Sequence, residues 1–175
     1  MTLHDIFIQT GKDLFDLGLI TSHAGNLSVR EGETIWVTRS GSMLRHLTTK
    51  DLLAVPMGAQ KPNLPVSIEF PVHCAIYKKT DARAVIHAHP VHAIALSLEK
   101  ESLQPADAEG AILLKQVPVL VFPSIEASAT AEKVAEALKD HVAVLVRGHG
   151  CFVRGKDLEE ALAYTSSLEA SCKIL

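Results

Sequence analysis

Apolar residues return at helical spacing at Leu3, Phe7, Leu14 and Leu17, behind a Thr2–Asp5 pair with the spacing of a capping box. Gly18 falls where a helix would end, so the pattern predicts an opening helix. The stretch 21–26 is rich in turn residues, and the run 27–30 leads through Glu31-Gly32-Glu33, a hairpin turn, into a strand over 34–38. Arg39-Ser40-Gly41-Ser42 ends that strand, and Thr48 with Asp51 caps a short turn before a strand over 52–57. The polar segment 58–65, with two prolines, reads as an exposed loop. A helical pattern follows over 67–79, then a β-rich run over 84–89 and a helix over 90–98 that tolerates Pro90 in its first turn. Strands over 117–122 and 142–147 bracket a helix over 130–139. Gly148-His149-Gly150 turns the chain into 151–153, and a helix over 157–173 closes it. Strands and helices mix without strict alternation. This predicts an α/β or layered α+β fold with a central, largely antiparallel β-sheet flanked by helices.

Composition narrows the classes of function. At 175 residues, 47% apolar and 21% charged, the chain has the length and make-up of one domain, residues 1–175, that buries its own core without disulfides. The formal charge is 17 minus 20, or −3, with no basic block and only eight aromatic residues, which argues against nucleic acid as a partner. No apolar run approaches the ~18 residues of a membrane span, and the first residues lack the basic start of a signal peptide. Cys74, Cys151 and Cys172 cannot all pair and show no metal-binding spacing, so a reducing cytoplasm is the simplest setting. Nine histidines, several of them clustered, are the unusual feature.

His87 and His89 lie two apart at the end of an apolar run. On a strand they face the same side and can converge on one point, which is metal-ligand geometry. From this tripeptide alone, a ligand pair and a solvated pair are equally open. His149, between two glycines, offers a third nitrogen, because its neighbours permit a sharp turn and a close approach. Glu69, His73 and Tyr77 share one helical face. Three histidines with a nearby carboxylate make up the composition of a catalytic zinc site with an open position. The carboxylate is then free to act as a base.

Taken together, Ala24-Gly25-Asn26-Leu27-Ser28-Val29-Arg30, Ser67-Ile68-Glu69 with His73 and Tyr77, Val85-Ile86-His87-Ala88-His89-Pro90 and Gly148-His149-Gly150 resemble the class II aldolase/adducin family, on its fuculose-phosphate aldolase branch. The order of the pieces is right and the resemblance covers nearly the whole chain. It implies that His87, His89 and His149 bind one zinc ion and that Glu69 is the catalytic acid/base, which also caps the metal when substrate is absent. It also implies a phosphate pocket at Asn26, Ser40, Gly41 and Ser67. Short hydroxyls, an amide and loop N–H groups are suitable donors to phosphate oxygens. His73 is expected to pack on its helix face or to support another group rather than to react.

The implied activity is cleavage of a small ketose 1-phosphate, similar to L-fuculose 1-phosphate, into dihydroxyacetone phosphate and an aldehyde. A methylthioribulose-phosphate dehydratase or a sugar-acid phosphate decarboxylase would use the same zinc site. A phosphosugar epimerase would carry Asp in place of Glu69. An adducin-like binding module would have the fold without the metal, and the three histidines with Glu69 speak for an enzyme instead. The chain departs from the family pattern at Ile68, where a second hydroxyl residue is common, and at Arg39, which either adds a cation for phosphate or sits in solvent. It also stops at Leu175, where longer aldolases carry a tail with a tyrosine. The resemblance further implies a homotetramer with sites at subunit interfaces, to which Asp107 and Glu109 would contribute contacts across the boundary.

Overall fold

The computed structural model of the protein describes residues 1–59, 63–123 and 127–175. Helix α1 (Leu3–Asp16) opens on the expected capping box: Thr2 Oγ1 accepts from the Asp5 N–H, and the Asp5 carboxylate accepts from the Thr2 N–H. Strands β1 (Asn26–Glu31) and β2 (Thr34–Thr38) form the hairpin, with Ser28 opposite Val37. A single turn at Leu44–His46 and another at Thr49–Asp51 lead into β3 (Leu52–Pro56). The second of these carries the capping box read at Thr48 and Asp51. Residues 63–65 are exposed, as expected of that loop, while residues 60–62 lie outside the described residues.

The second half begins with helix α2 (Phe70–Lys79), strand β4 (Ala84–Ala88) and helix α3 (Val91–Ser97). Then come β5 (Ser102–Leu103), α4 (Ala108–Leu113), β6 (Val117–Leu120) and α5 (Ala127–Ala137). Strands β7 (Ala143–Val146) and β8 (Gly150–Gly155) and helix α6 (Leu158–Ile174) complete the chain. The pattern did not reveal β5 or α4. Two residues carry no alternation, and six are too few for a helical period to register. The α4 start is nevertheless capped, since the Asp107 side chain accepts from the Gly110 N–H at 2.8 Å.

Among the described residues, the strands form one eight-stranded sheet in the order β3-β2-β1-β4-β8-β7-β6-β5. Only β6 and β7 run parallel among these neighbours, so the sheet is central and largely antiparallel, as expected. Alternation along β4 and β8 divides the interior into two cores. Ala84, Ile86, Ala88, Cys151 and Val153 face a core that includes Phe7 and Leu14 of α1 and Leu168 of α6. Val85 and Phe152 face the other, with Val72 and Ile76 of α2 and Val134 of α5. The three cysteines are free and buried. Among the described residues, no helix is long and apolar enough to cross a membrane.

Candidate metal centre and cleft

The site forms where strand ends and loops meet on one edge of the sheet. β1 lies between β2 and β4, and Asn26 pairs opposite His87. The antiparallel β1–β2 register carries the turn at 39–42 to the same edge. Arg39 bridges to Val66, and the Ser40 N–H donates to the Pro65 carbonyl at 2.8 Å, which draws that turn against the segment leading into α2. Asn26, Ser40, Gly41, Ser67, Glu69, His87, His89 and His149 consequently line one cleft of about 210 Å³. Arg39, although exposed, lines it too and is its one Lys or Arg among the described residues. Asp107 and Glu109 do not line this cleft; Asp107 is half-buried at the start of α4 and Glu109 is exposed.

His87 is the most fixed of the three imidazoles. Its ring stacks on Phe152 with centroids 4.3 Å apart, and its Nδ1–H donates to the Cys151 carbonyl at 2.9 Å. That bond leaves Nε2 as the lone-pair nitrogen. His89 stands one residue past the end of β4 yet keeps the period-two alternation, placing its Nε2 2.9 Å from His87 Nε2. His149 completes the group, and one nitrogen from each ring lies within 4.8 Å of the others. Two glycines make this placement possible. Gly148 adopts the left-handed φ of +68° in the turn. A Cβ on Gly150 would sit 2.5 Å from the Ala88 carbonyl oxygen and 2.8 Å from His89 Cδ2.

Burial pushes all three ring pKa values down, to about 4 for His89, with the neighbouring rings adding to the effect at His87 and His89. Neutral imidazoles with converging lone pairs fit a divalent cation, and this nitrogen set suits zinc. Among the described residues, the Nε2 atoms of His87 and His89 find hydrogen-bond contact only with each other, and a cation could take both lone pairs at once. Cys151, Phe152 and His23, which also lines the cleft, carry no sequence signal; they matter because of what the fold brings beside them.

Glu69 sits immediately before α2, its N–H donating to Ser67 Oγ at 3.3 Å. Its buried carboxylate places Oε1 3.9 Å from His149 Nε2, and Oε2 meets no hydrogen-bond partner among the described residues. Burial raises its pKa to about 7. The Asn26 side-chain oxygen is likewise buried without a partner, so the cleft holds polar atoms available to a ligand. The helix expected over 67–79 begins later, at Phe70, which frees Ser67 and Glu69 to adopt loop geometry at the cleft.

His73 lies beneath this surface and does not line the cleft. It is fully buried, and Ser28 Oγ bridges its Nδ1 at 2.6 Å and the Tyr77 hydroxyl at 2.7 Å. Burial pushes the His73 pKa down to about 3, against ~6.5 in an unfolded chain. The unfolded state therefore binds a proton first on acidification. The stability that depends on neutral His73 is present above pH ~6.5 and is lost as pH falls towards the folded value. Denaturant titrations of metal-free protein should show this residue contributing roughly 1.4 kcal/mol per pH unit in that window. His73→Gln should flatten the decline, and an unchanged slope would refute the assignment.

Comparison with known proteins extends the agreement beyond the cleft. The model for the class II aldolase and adducin N-terminal domain matches residues 6–175. The structure superposes on L-fuculose-1-phosphate aldolase from Thermus thermophilus with a TM-score of 0.95, at 44% identity over 98% of this chain and 91% of that one. L-fuculose phosphate aldolase of Methanocaldococcus jannaschii is 28% identical over 96% of this chain and 92% of its own. Methylthioribulose-1-phosphate dehydratase of Granulibacter bethesdensis is 32% identical over 93% and 85%. A cluster of histidines beside a buried carboxylate suits many metal enzymes, but agreement in order, fold and length together suits one family: the chain belongs to the class II aldolases and adducins, as an enzyme of the aldolase kind.

Proposed function

We propose that this chain, working as one class II aldolase-type domain over residues 1–175, is a zinc-dependent aldolase. It cleaves a small ketose 1-phosphate, of the L-fuculose 1-phosphate type, to dihydroxyacetone phosphate and an aldehyde. The observation that carries this reading is the meeting of His87, His89 and His149 with Glu69 and the polar residues Asn26, Ser40, Gly41 and Ser67 in one cleft. The three imidazoles hold the ion. Zinc bound there supplies a Lewis acid that stabilises the negative charge developing on substrate oxygen as the carbon–carbon bond breaks.

The remaining work falls to the protein. Asn26, Ser40, Gly41 and Ser67 hold the phosphate through amide, hydroxyl and backbone donors, and Arg39 adds a cation at the rim. Glu69 is placed to carry a proton because one oxygen is unpartnered and the other only approaches His149. When the bond breaks, its electron pair stays with the carbon next to the carbonyl. The departing carbon becomes the aldehyde as its hydroxyl loses a proton. Glu69 takes that proton and returns one to the carbon that kept the pair, so protons and electrons balance.

We place the enzyme in the cytoplasm as a homotetramer with shared sites. Ile68, which lines the cleft at 78% exposure, supports shared sites, as an apolar side chain that a second subunit would cover. Asp107 and Glu109 would then serve a neighbour's substrate rather than their own.

A panel of ketose 1-phosphates, with and without chelator, tests the activity. Release of dihydroxyacetone phosphate that chelator abolishes and zinc restores is expected. Turnover of a phosphosugar with loss of water or carbon dioxide instead would overturn the aldolase reading. In the same assay Asn26→Ala should raise KM for the phosphorylated substrate and narrow its advantage over the unphosphorylated analogue. An unchanged preference would remove Asn26 from the pocket.

A further inference from the structure

We propose that helix α3 is a brace that sets the spacing of the imidazole cluster, with Glu169 and Ser97 as its two anchoring, positioning residues; this rests on the metal reading above. His87 needs little help, because its backbone pairs with both neighbouring strands and its ring is held by Phe152 and the Cys151 carbonyl. The other two rings are less constrained. His89 has left the β4 ladder, its N–H held by the Leu19 carbonyl at 2.9 Å, and His149 rides on a turn closed by its N–H to the Val146 carbonyl at 3.0 Å; neither bond spans the two, and α3 is a further link between their segments.

Helix α3 touches the chain beside both. It begins two residues after His89, and Pro90 stands at its cap position with no side-chain acceptor for the first N–H groups. Glu169, reaching across from α6, replaces that acceptor. Its carboxylate, only 4% exposed, accepts from the His92 N–H at 3.1 Å and the Ala93 N–H at 3.3 Å, and its Oε1 meets His92 Nδ1 at 2.7 Å. Bonds to an ionised acceptor are the stronger kind, and here they tie the start of α3 to the longest helix of the fold.

At the far end Ser97 is fully buried. Its hydroxyl donates to the Ile94 carbonyl at 2.7 Å and accepts from the Gly148 N–H at 3.0 Å. Gly148 immediately precedes His149. A single seven-residue helix thus links the segment carrying His89 to the turn carrying His149, and α6 holds it in place. Neither Glu169 nor Ser97 lines the cleft, so neither is placed to touch substrate.

The test is zinc affinity, measured by titrating metal-stripped protein against a chromophoric chelator. Glu169→Gln and Ser97→Ala should each weaken zinc binding by about 10-fold or more, the scale seen when groups orienting metal ligands are lost. The double variant should lose less than the product of the two, because both act through α3. Val134→Ala, in the core on the opposite face of the sheet, is the control: it should lower the melting midpoint without changing zinc affinity. Unchanged affinity in both single variants would overturn the brace while leaving the three imidazoles as ligands. Wild-type protein that binds no zinc would overturn the metal reading instead. The brace is then decided in the metal-free protein by the ring nitrogen resonances of His89 and His149. These should shift in Ser97→Ala and Glu169→Gln but not in Val134→Ala, and resonances that stay fixed would overturn it.

Discussion

Glu69→Gln is expected to keep its zinc and lose turnover by about 10²–10⁴-fold, the worth of a positioned proton carrier. The substitution preserves volume and can still accept the few contacts that Glu69 makes, so the fold should be indifferent to it. The Glu69 backbone N–H to Ser67 Oγ is untouched, and the 3.9 Å approach to His149 is too long for a hydrogen bond that the packing needs. What disappears is the capacity to take and return a proton. The loss should fall on kcat with KM for the phosphate-bearing substrate little altered, because the recess at Asn26, Ser40, Gly41 and Ser67 is intact. Near-normal turnover in this variant would sink the acid/base role. Simultaneous loss of zinc would recast Glu69 as a ligand.

The second large effect concerns the metal. Zinc in a site with three protein ligands and an open position owes its affinity to few bonds. If the roughly 10–16 kcal/mol of a four-ligand structural site is shared equally among its ligands, each imidazole accounts for about 2.5–4 kcal/mol, on the order of 10²–10³-fold in affinity. Alanine at any of His87, His89 or His149 should therefore cost the protein its stoichiometric zinc through purification. His149→Ala is the cleanest variant, since that ring is half-buried on a turn and its removal opens no core cavity. His87→Ala carries a structural cost as well. It removes a buried ring stacked on Phe152, and large-to-small changes of this kind in a core cost several kcal/mol. Metal analysis alongside a melting curve separates the two losses. Full zinc occupancy in His149→Ala would take that residue out of the ligand set.

Local chemistry was legible wherever neighbours in sequence are neighbours in space. Period-two geometry put His87 and His89 on one side of a strand, and the structure keeps that alternation one residue beyond the last ladder pair. Glycines around His149 signalled a tight turn; Gly148 supplies the left-handed residue and Gly150 the close approach. The Thr2–Asp5 and Thr48–Asp51 caps were readable because both partners lie within a single turn. Boundaries were less so. The helix that carries His73 starts three residues later than its apolar spacing suggests, and β5 and α4 are too short to leave a period.

By itself, the sequence determined the longer secondary elements, the layered class of fold, the residue types available for catalysis and, through the order of its motifs, the family. The tertiary structure decided which of those residues meet across long stretches of chain. Strand order sets β1 between β2 and β4, and this brings Asn26, the 39–42 turn and His87 to one edge of the sheet. No local pattern encodes that order, because it results from burying two apolar faces of one sheet at once. The same holds for Glu169, 80 residues from His89 in the chain, whose partners on α3 become visible only when α6 packs across it. A side chain's type is written in sequence, but the groups that share its desolvated surroundings are selected by long-range packing, and those surroundings determine what the side chain can do.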